Sequence, residues 1–226
     1  MCWRSPVIGL LRGHFGFLDR ARLRRYTFLV LGGLKANPLP WLLGEDDPSV
    51  RYSTLVDILD APPQDRRVVA AKKAIMEKGI VPKILAKQKK GGFWEKAGDF
   101  YIRTKYTGTV WQLIVLAELG AEGNDPKVQS ACDFVLRVSQ DRESGGFSYL
   151  GGQRGGGYHS AVIPCLTGNM VWSLIRLGFL DDPRVKRGVE WITDETLKGV
   201  YRRSLPVQLT MMLEAPELLF VCYKMI

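Results

Sequence analysis

Between residues 107 and 193 the chain alternates two kinds of apolar run. Thr107–Leu119 carries Val110, Trp111, Leu113, Ile114, Val115, Leu116, Ala117 and Leu119, so it is apolar nearly all round. Such a helix is expected to be buried on every side. Asp125–Val138 is amphipathic: Val128, Cys132 and Val135 fall on one face, with Lys127, Gln129, Asp133 and Arg137 elsewhere. Thr167–Leu177 repeats the first pattern, through Met170, Val171, Trp172, Leu174, Ile175 and Leu177. Asp182–Ile192 repeats the second, with Val185, Val189 and Ile192 inward and Lys186, Arg187 and Glu190 outward. Nothing comparable follows the period of two that strands require. The pattern predicts an all-α fold, an inner layer of buried helices wrapped by half-solvated ones: a partial α/α toroid of two-layer helical hairpins.

The punctuation repeats as well. Asp-Pro recurs at Asp47-Pro48, Asp125-Pro126 and Asp182-Pro183, each time with a Val two residues after the Pro. An Asp carboxylate accepts from the open N–H groups of a helix start, and Pro fits the first helical position. Each inner run ends in Leu-Gly, Leu119-Gly120 and Leu177-Gly178, where Gly serves as a C-cap. A glycine turn begins at Gln88 and another at Gln140, 52 residues on. Tyr106-Thr107-Gly108 and Leu166-Thr167-Gly168 then open the inner helices. Residues 79–193 therefore hold two copies of one helical module. Residues 37–78 form a less regular flank, with helices expected over Asp47–Leu59 and Asp65–Met76.

Charge divides the chain differently. Of the net charge of +9, residues 1–36 contribute +6, from Arg4, Arg12, Arg20, Arg22, Arg24, Arg25 and Lys35 against Asp19. This basic N-terminal arm offers a surface to nucleic acid or an anionic membrane; the plainer reading, a poorly ordered or misassigned leader, is preferred. The organisation expected is thus an arm (1–36), an α/α-toroid-like domain (37–193) and a C-terminal helical tail (194–226). No apolar run is long enough for a membrane span, and the opening lacks a signal-peptide pattern. Cys2, Cys132, Cys165 and Cys222 form no CxxC pair. They read as reduced thiols of a cytoplasmic protein.

Gln88–Trp94 reads Q-x-x-x-G-x-W and resembles the QW motif of squalene and hopene cyclases. Its Gly91-Gly92-Phe93 also resembles the GGF turn of protein prenyltransferase β subunits. Pro164–Met170, Pro-Cys-Leu-Thr-Gly-Asn-Met, is similar to a stretch of uncharacterised prokaryotic squalene-cyclase-like proteins. The resemblance covers 37–193. It implies the α/α toroid and an isoprenoid or similar apolar ligand, bound or transformed on the concave face. The motif has a structural logic: the Gln amide meets backbone groups left open at a helix end, a Trp packs beside it, and Gly permits close approach. Gln88, Gly92 and Trp94 form the first copy; Gln140 and Gly146 belong to the second, which has one extra residue and no Trp.

The resemblance also implies chemistry, which the residues supply in part. The D-x-D-D acid motif of triterpene cyclases has its nearest counterpart in Gly44-Glu45-Asp46-Asp47, without the first Asp, and Asp47 reads as a cap. Asp46-Asp47 and Asp181-Asp182 both lack the third Asp of the magnesium-binding D-D-x-x-D motif. No catalytic residue is named. Tyr158-His159-Ser160 stands where prenyltransferases carry a zinc His, ahead of Cys165-Leu166-Thr167-Gly168. His159 and Cys165 are thus the candidate metal ligands and zinc the candidate cofactor, against the plainer reading of a loop His bonded to backbone. Gly151–Gly157 has no Lys-Ser/Thr after it and is no P-loop. It is expected to be a flexible loop over a mouth of the barrel, with Arg154 offered to an anion there against the preferred, plainer reading of an exposed loop arginine. Trp94, Tyr101, Tyr106, Trp111, Tyr158 and Trp172 cluster near the inner-helix starts, as core packing or as the lining of an apolar cavity.

Only two clear hairpins are present, fewer than a closed ring needs. A partner chain or second copy, a covering tail, or a truncated sequence would each account for this. The alternative to an isoprenoid-handling protein is a non-enzymatic helical repeat scaffold for a protein or lipid partner.

Overall fold

The computed structural model describes residues 36–152 and 154–197. The expectations for the basic arm up to residue 35 and for the tail beyond residue 197 lie outside the described residues. Among the described residues the fold is mostly helical, without strands, in keeping with the all-α expectation. No helix among them is long and apolar enough to cross a membrane. The chain divides into two compact units, one ending at Gly79 and the other starting at Ile80. The division falls where the sequence repeats begin.

In the first unit, α1 (Leu39–Leu42) leads to α2 (Pro48–Ser53) and α3 (Arg66–Glu77). Asp47 caps α2 by accepting from the Ser49 and Val50 amides, and Asp65 caps α3 through the Arg67 amide. The expected single helix 47–59 changes pitch at Thr54–Ile58, which is π-helical. The Thr54 hydroxyl donates to the Val50 carbonyl at 2.7 Å, and the Leu59 amide reaches back five residues to the Thr54 carbonyl. A threonine bonding back into its own helix competes with the regular ladder. The widened turn brings Leu55 against Val68 and Ala71 of α3 to form the core of this unit.

In the second unit, α4 (Val81–Ala86) precedes two hairpins: α5 (Thr109–Glu118) with α6 (Pro126–Val138), and α7 (Pro164–Arg176) with α8 (Pro183–Leu197). α5 packs on both α6 and α7, and α7 packs on α8. Asp125 caps α6 and Asp182 caps α8 through the amide two residues on, with Pro at the first position in both. Gly120 and Gly178 close α5 and α7 with φ of 72° and 88°. The amide after each reaches back to Leu116 and Leu174, the same 6→1 bond in both copies.

The inner helices differ from expectation in one respect. Val110, Leu113 and Leu116 of α5 and Leu166, Met170 and Leu174 of α7 are fully buried, but Val115 and Ile175 remain 38% and 37% exposed. Each helix therefore leaves one apolar stripe open. α7 also starts three residues earlier than the apolar run suggests, because Pro164 sets the first turn.

Candidate functional site

The two glycine turns are built alike. Gln88 Nε2 donates to the Lys127 carbonyl at 2.8 Å, and Gln140 Nε2 donates to the Arg184 carbonyl at 2.7 Å. Lys127 and Arg184 are the second residues of α6 and α8. The Trp94 amide donates to Thr109 Oγ1 at 3.2 Å, and the Phe147 amide to Thr167 Oγ1 at 2.9 Å. Phe147 thus takes the backbone place of Trp94, and Thr109, not Thr107, matches Thr167. Trp94 is buried and its indole donates to the Ile84 carbonyl of α4 at 2.9 Å. Gly92 and Gly145 share a φ of 85°. A Cβ on Gly92 would collide with the Ser130 carbonyl, and one on Gly145 would lie 2.8 Å from that of Arg187. Ser130 and Arg187 are the fifth residues of their helices. Gly146 sits against Val162 and Trp191, where a Cβ would come within 2.5 Å of Val162. The second turn, despite its extra residue, is the more tightly held. Gln140 is buried and donates also to the Gly145 carbonyl at 2.8 Å.

The candidate aromatic residues separate into groups. Tyr101 stacks on Trp111, with ring centres 5.5 Å apart and planes 17° from parallel. Tyr106 leans on the same indole at 5.5 Å, and Trp111 Nε1 donates to the Tyr101 carbonyl at 2.9 Å. The Tyr101 hydroxyl meets Cys165, so the start of α7 touches this cluster; burial first, then the thiol, pushes the Tyr101 hydroxyl up to about 12. Trp172 faces the Arg176 guanidinium at 5.6 Å. Tyr158 is exposed, and Trp94 belongs to the turn described above.

His159 and Cys165 have separate partners. His159 Nδ1 stands 2.8 Å from Asp141 Oδ2, with the imidazole largely in solvent and the carboxylate buried. Burial raises the Asp141 pKa, but hydrogen bonds from the Ser144 hydroxyl, His159 and the Ser144 and Glu143 amides outweigh it and bring it to about 2. The hydrogen bond and the negative charge of Asp141 raise that of His159. Zinc takes about four ligands. Among the described residues there is no group of three or more His, Cys, Asp or Glu side chains that could hold a metal ion.

The glycines on either side of residue 153 are tied together and to the end of α6 by backbone bonds. Gly151 bridges Gly157, the Gly152 amide donates to Gly156, and the Gly156 and Gly157 amides donate to the carbonyls of Arg137 and Gln140. Arg154 is exposed on this turn, and its carbonyl accepts from Arg142 Nη2 at 3.4 Å. Beside it lies a feature that the sequence reading overlooked: a cavity of about 470 Å³ with Arg137, Arg142, Arg184 and Arg187 in its wall, together with the carboxylate of Asp133. Helical spacing brings together only Arg184 and Arg187; the other two arrive through folding. The protein-family models, the curated proteins and the solved structures with which the chain was compared contain no match to it.

Proposed function

We propose that the chain is a partial α/α toroid that binds an isoprenoid, or a similar apolar chain, along the open stripes of α5 and α7. One observation carries this reading: the Tyr101–Trp111–Tyr106 cluster at the start of α5 continues into exposed Val115, with Ile175 exposed on the adjoining α7. Trp111 and Val115 are four residues apart, hence on one helical face. An apolar stripe left open on a helix that is otherwise core marks a binding surface. The role is binding in preference to catalysis. Asp47 and Asp182, the nearest counterparts of the family's acidic motifs, cap α2 and α8.

The test is displacement of a fluorescent farnesol analogue by unlabelled farnesol. Saturable binding that weakens at least tenfold in Val115→Asp, with the helical circular dichroism unchanged, supports the proposal. No binding, or equal affinity in the variant, overturns it.

A second reading rests on the repetition of the turns. The Gln–carbonyl and Thr–amide bonds recur in both modules, as in stacked helical repeats whose exposed inner edge receives a further repeat. A scaffold for a protein or lipid partner, or a second copy of the chain, would use the same stripe. Native mass spectrometry separates the two: a ligand-free dimer that Val115→Asp converts to monomer favours the scaffold.

A further inference from the structure

The arginine-lined cavity between α6 and α8 belongs to the opposite layer from the proposed apolar face and is independent of it. Its four guanidinium groups are not equivalent. Arg184 is neutralised, with Nη2 at 2.7 Å from Asp182 and 2.8 Å from Asp133. Arg187 lies close enough to Asp182 for its charge to lower that carboxyl's pKa, while Arg142 and Arg137 are held by uncharged groups. Arg187 Nη1 donates to the Arg142 carbonyl at 3.1 Å. Arg142 reaches the Arg154 carbonyl, and Arg137 lies over the Phe134 ring at 5.7 Å. Asp141, next to Arg142 in sequence, is engaged by Ser144 and His159. Four arginines face two carboxylates, Asp133 and Asp182, so positive charge is left in excess around one cavity.

The glycine turn helps to shape it. Gly155 and Gly156 have φ of 80° and 78°, and a Cβ on either would come within 3.3 Å of the Arg142 side chain. Glycine at both positions lets the turn lie against this arginine. Guanidinium forks match the oxygens of a phosphate and give bidentate, charge-assisted bonds. A volume of about 470 Å³ is that of a small-molecule site.

We infer that this cavity is an anion site for the phosphomonoester or diphosphate group of a small organic molecule, bound by Arg137, Arg142 and Arg187.

The probe is inorganic pyrophosphate, titrated calorimetrically into the full chain at low and moderate salt. The expected result is saturable binding that weakens as salt rises. Affinity should fall about tenfold in Arg137→Gln, whose guanidinium lies over the Phe134 ring, and as much in Arg187→Gln. Asp133→Asn should tighten binding about threefold by removing a carboxylate from the cavity wall, a gain that misfolding cannot imitate. Failure of folded wild-type protein to bind millimolar pyrophosphate overturns the inference, and so does equal affinity in wild type and all three variants. Vesicles containing phosphatidic acid form the second arm. Adsorption to them that pyrophosphate does not displace assigns the surface to a lipid headgroup and overturns the small-molecule site; displacement supports it.

Discussion

Gln140 and Arg184, 44 residues apart in the chain, are joined by a 2.7 Å hydrogen bond from the Gln140 amide to the Arg184 carbonyl. The bond latches the glycine turn after α6 onto the first turn of α8. Because Gln140 is buried and holds a second carbonyl at Gly145, truncation leaves two acceptors without their donor. Gln140→Ala should cost about 2–3 kcal/mol in urea unfolding. Gln88 makes the corresponding bond with Lys127 in an exposed setting, so Gln88→Ala should cost about 1 kcal/mol or less. Equal losses would show that the two latches do not differ in burial as the structure has them.

Glycine substitutions separate backbone strain from collision. Gly178 closes α7 with φ of 88° and has open space where a Cβ would project. Gly178→Ala should therefore cost only the left-handed conformation, about 1 kcal/mol. Gly92 has nearly the same φ, but its Cβ would run into the Ser130 carbonyl of α6. Gly92→Ala should lower thermal stability considerably more, by about 3 kcal/mol or above. Similar melting temperatures for the two variants would remove the close contact between turn and helix.

How far the sequence discloses this fold depends on the range of each interaction. Asp47, Asp125 and Asp182 are legible because a cap is made within three residues of itself. The pairing of Thr109 with Thr167 is hidden, since the connections leading to the two inner helices differ in length and Thr107-Gly108 imitates the match. The tightness of the second turn is hidden too. Its extra residue is absorbed in a loop that Asp141 closes by accepting from Ser144. The arginine cavity is the least legible. Arg137 and Arg187 fall off the apolar faces of their helices and Arg142 lies in the second turn, and only the packing of that turn against α6 and α8 gathers them.

The thiols should differ sharply in reactivity. Cys132 is fully buried on α6, and desolvation pushes its thiol far above the ordinary range. Cys165 is half-buried beside Tyr101. Thiolate is the reactive species. Peptide mapping after a brief iodoacetamide pulse on native protein should find Cys165 alkylated and Cys132 untouched, with both labelled in denaturant. Alkylation of native Cys132 at the rate of Cys165 would contradict the buried α6 face.

The Asp141–His159 pair gives the second turn a defined pH window. Asp141 has its folded pKa lowered to about 2 from an ordinary value of 3.8, so its contribution is complete above about pH 4 and disappears as pH falls toward 2. His159 has its folded pKa raised from 6.5, so its contribution is complete below about pH 6 and is lost as pH climbs through the raised value. The pair should therefore stabilise most between about pH 4 and pH 6, and the exposed imidazole makes the effect small. Melting temperatures of wild type and His159→Gln should differ most in that window and converge by about pH 9. Asp141→Asn should lose more stability than His159→Gln at every pH above about 4, because the carboxylate also holds Ser144 and the Glu143 amide. A wild-type advantage over His159→Gln that grows from pH 6 to pH 9 would reverse the assigned sign and place a neutral imidazole in the contact.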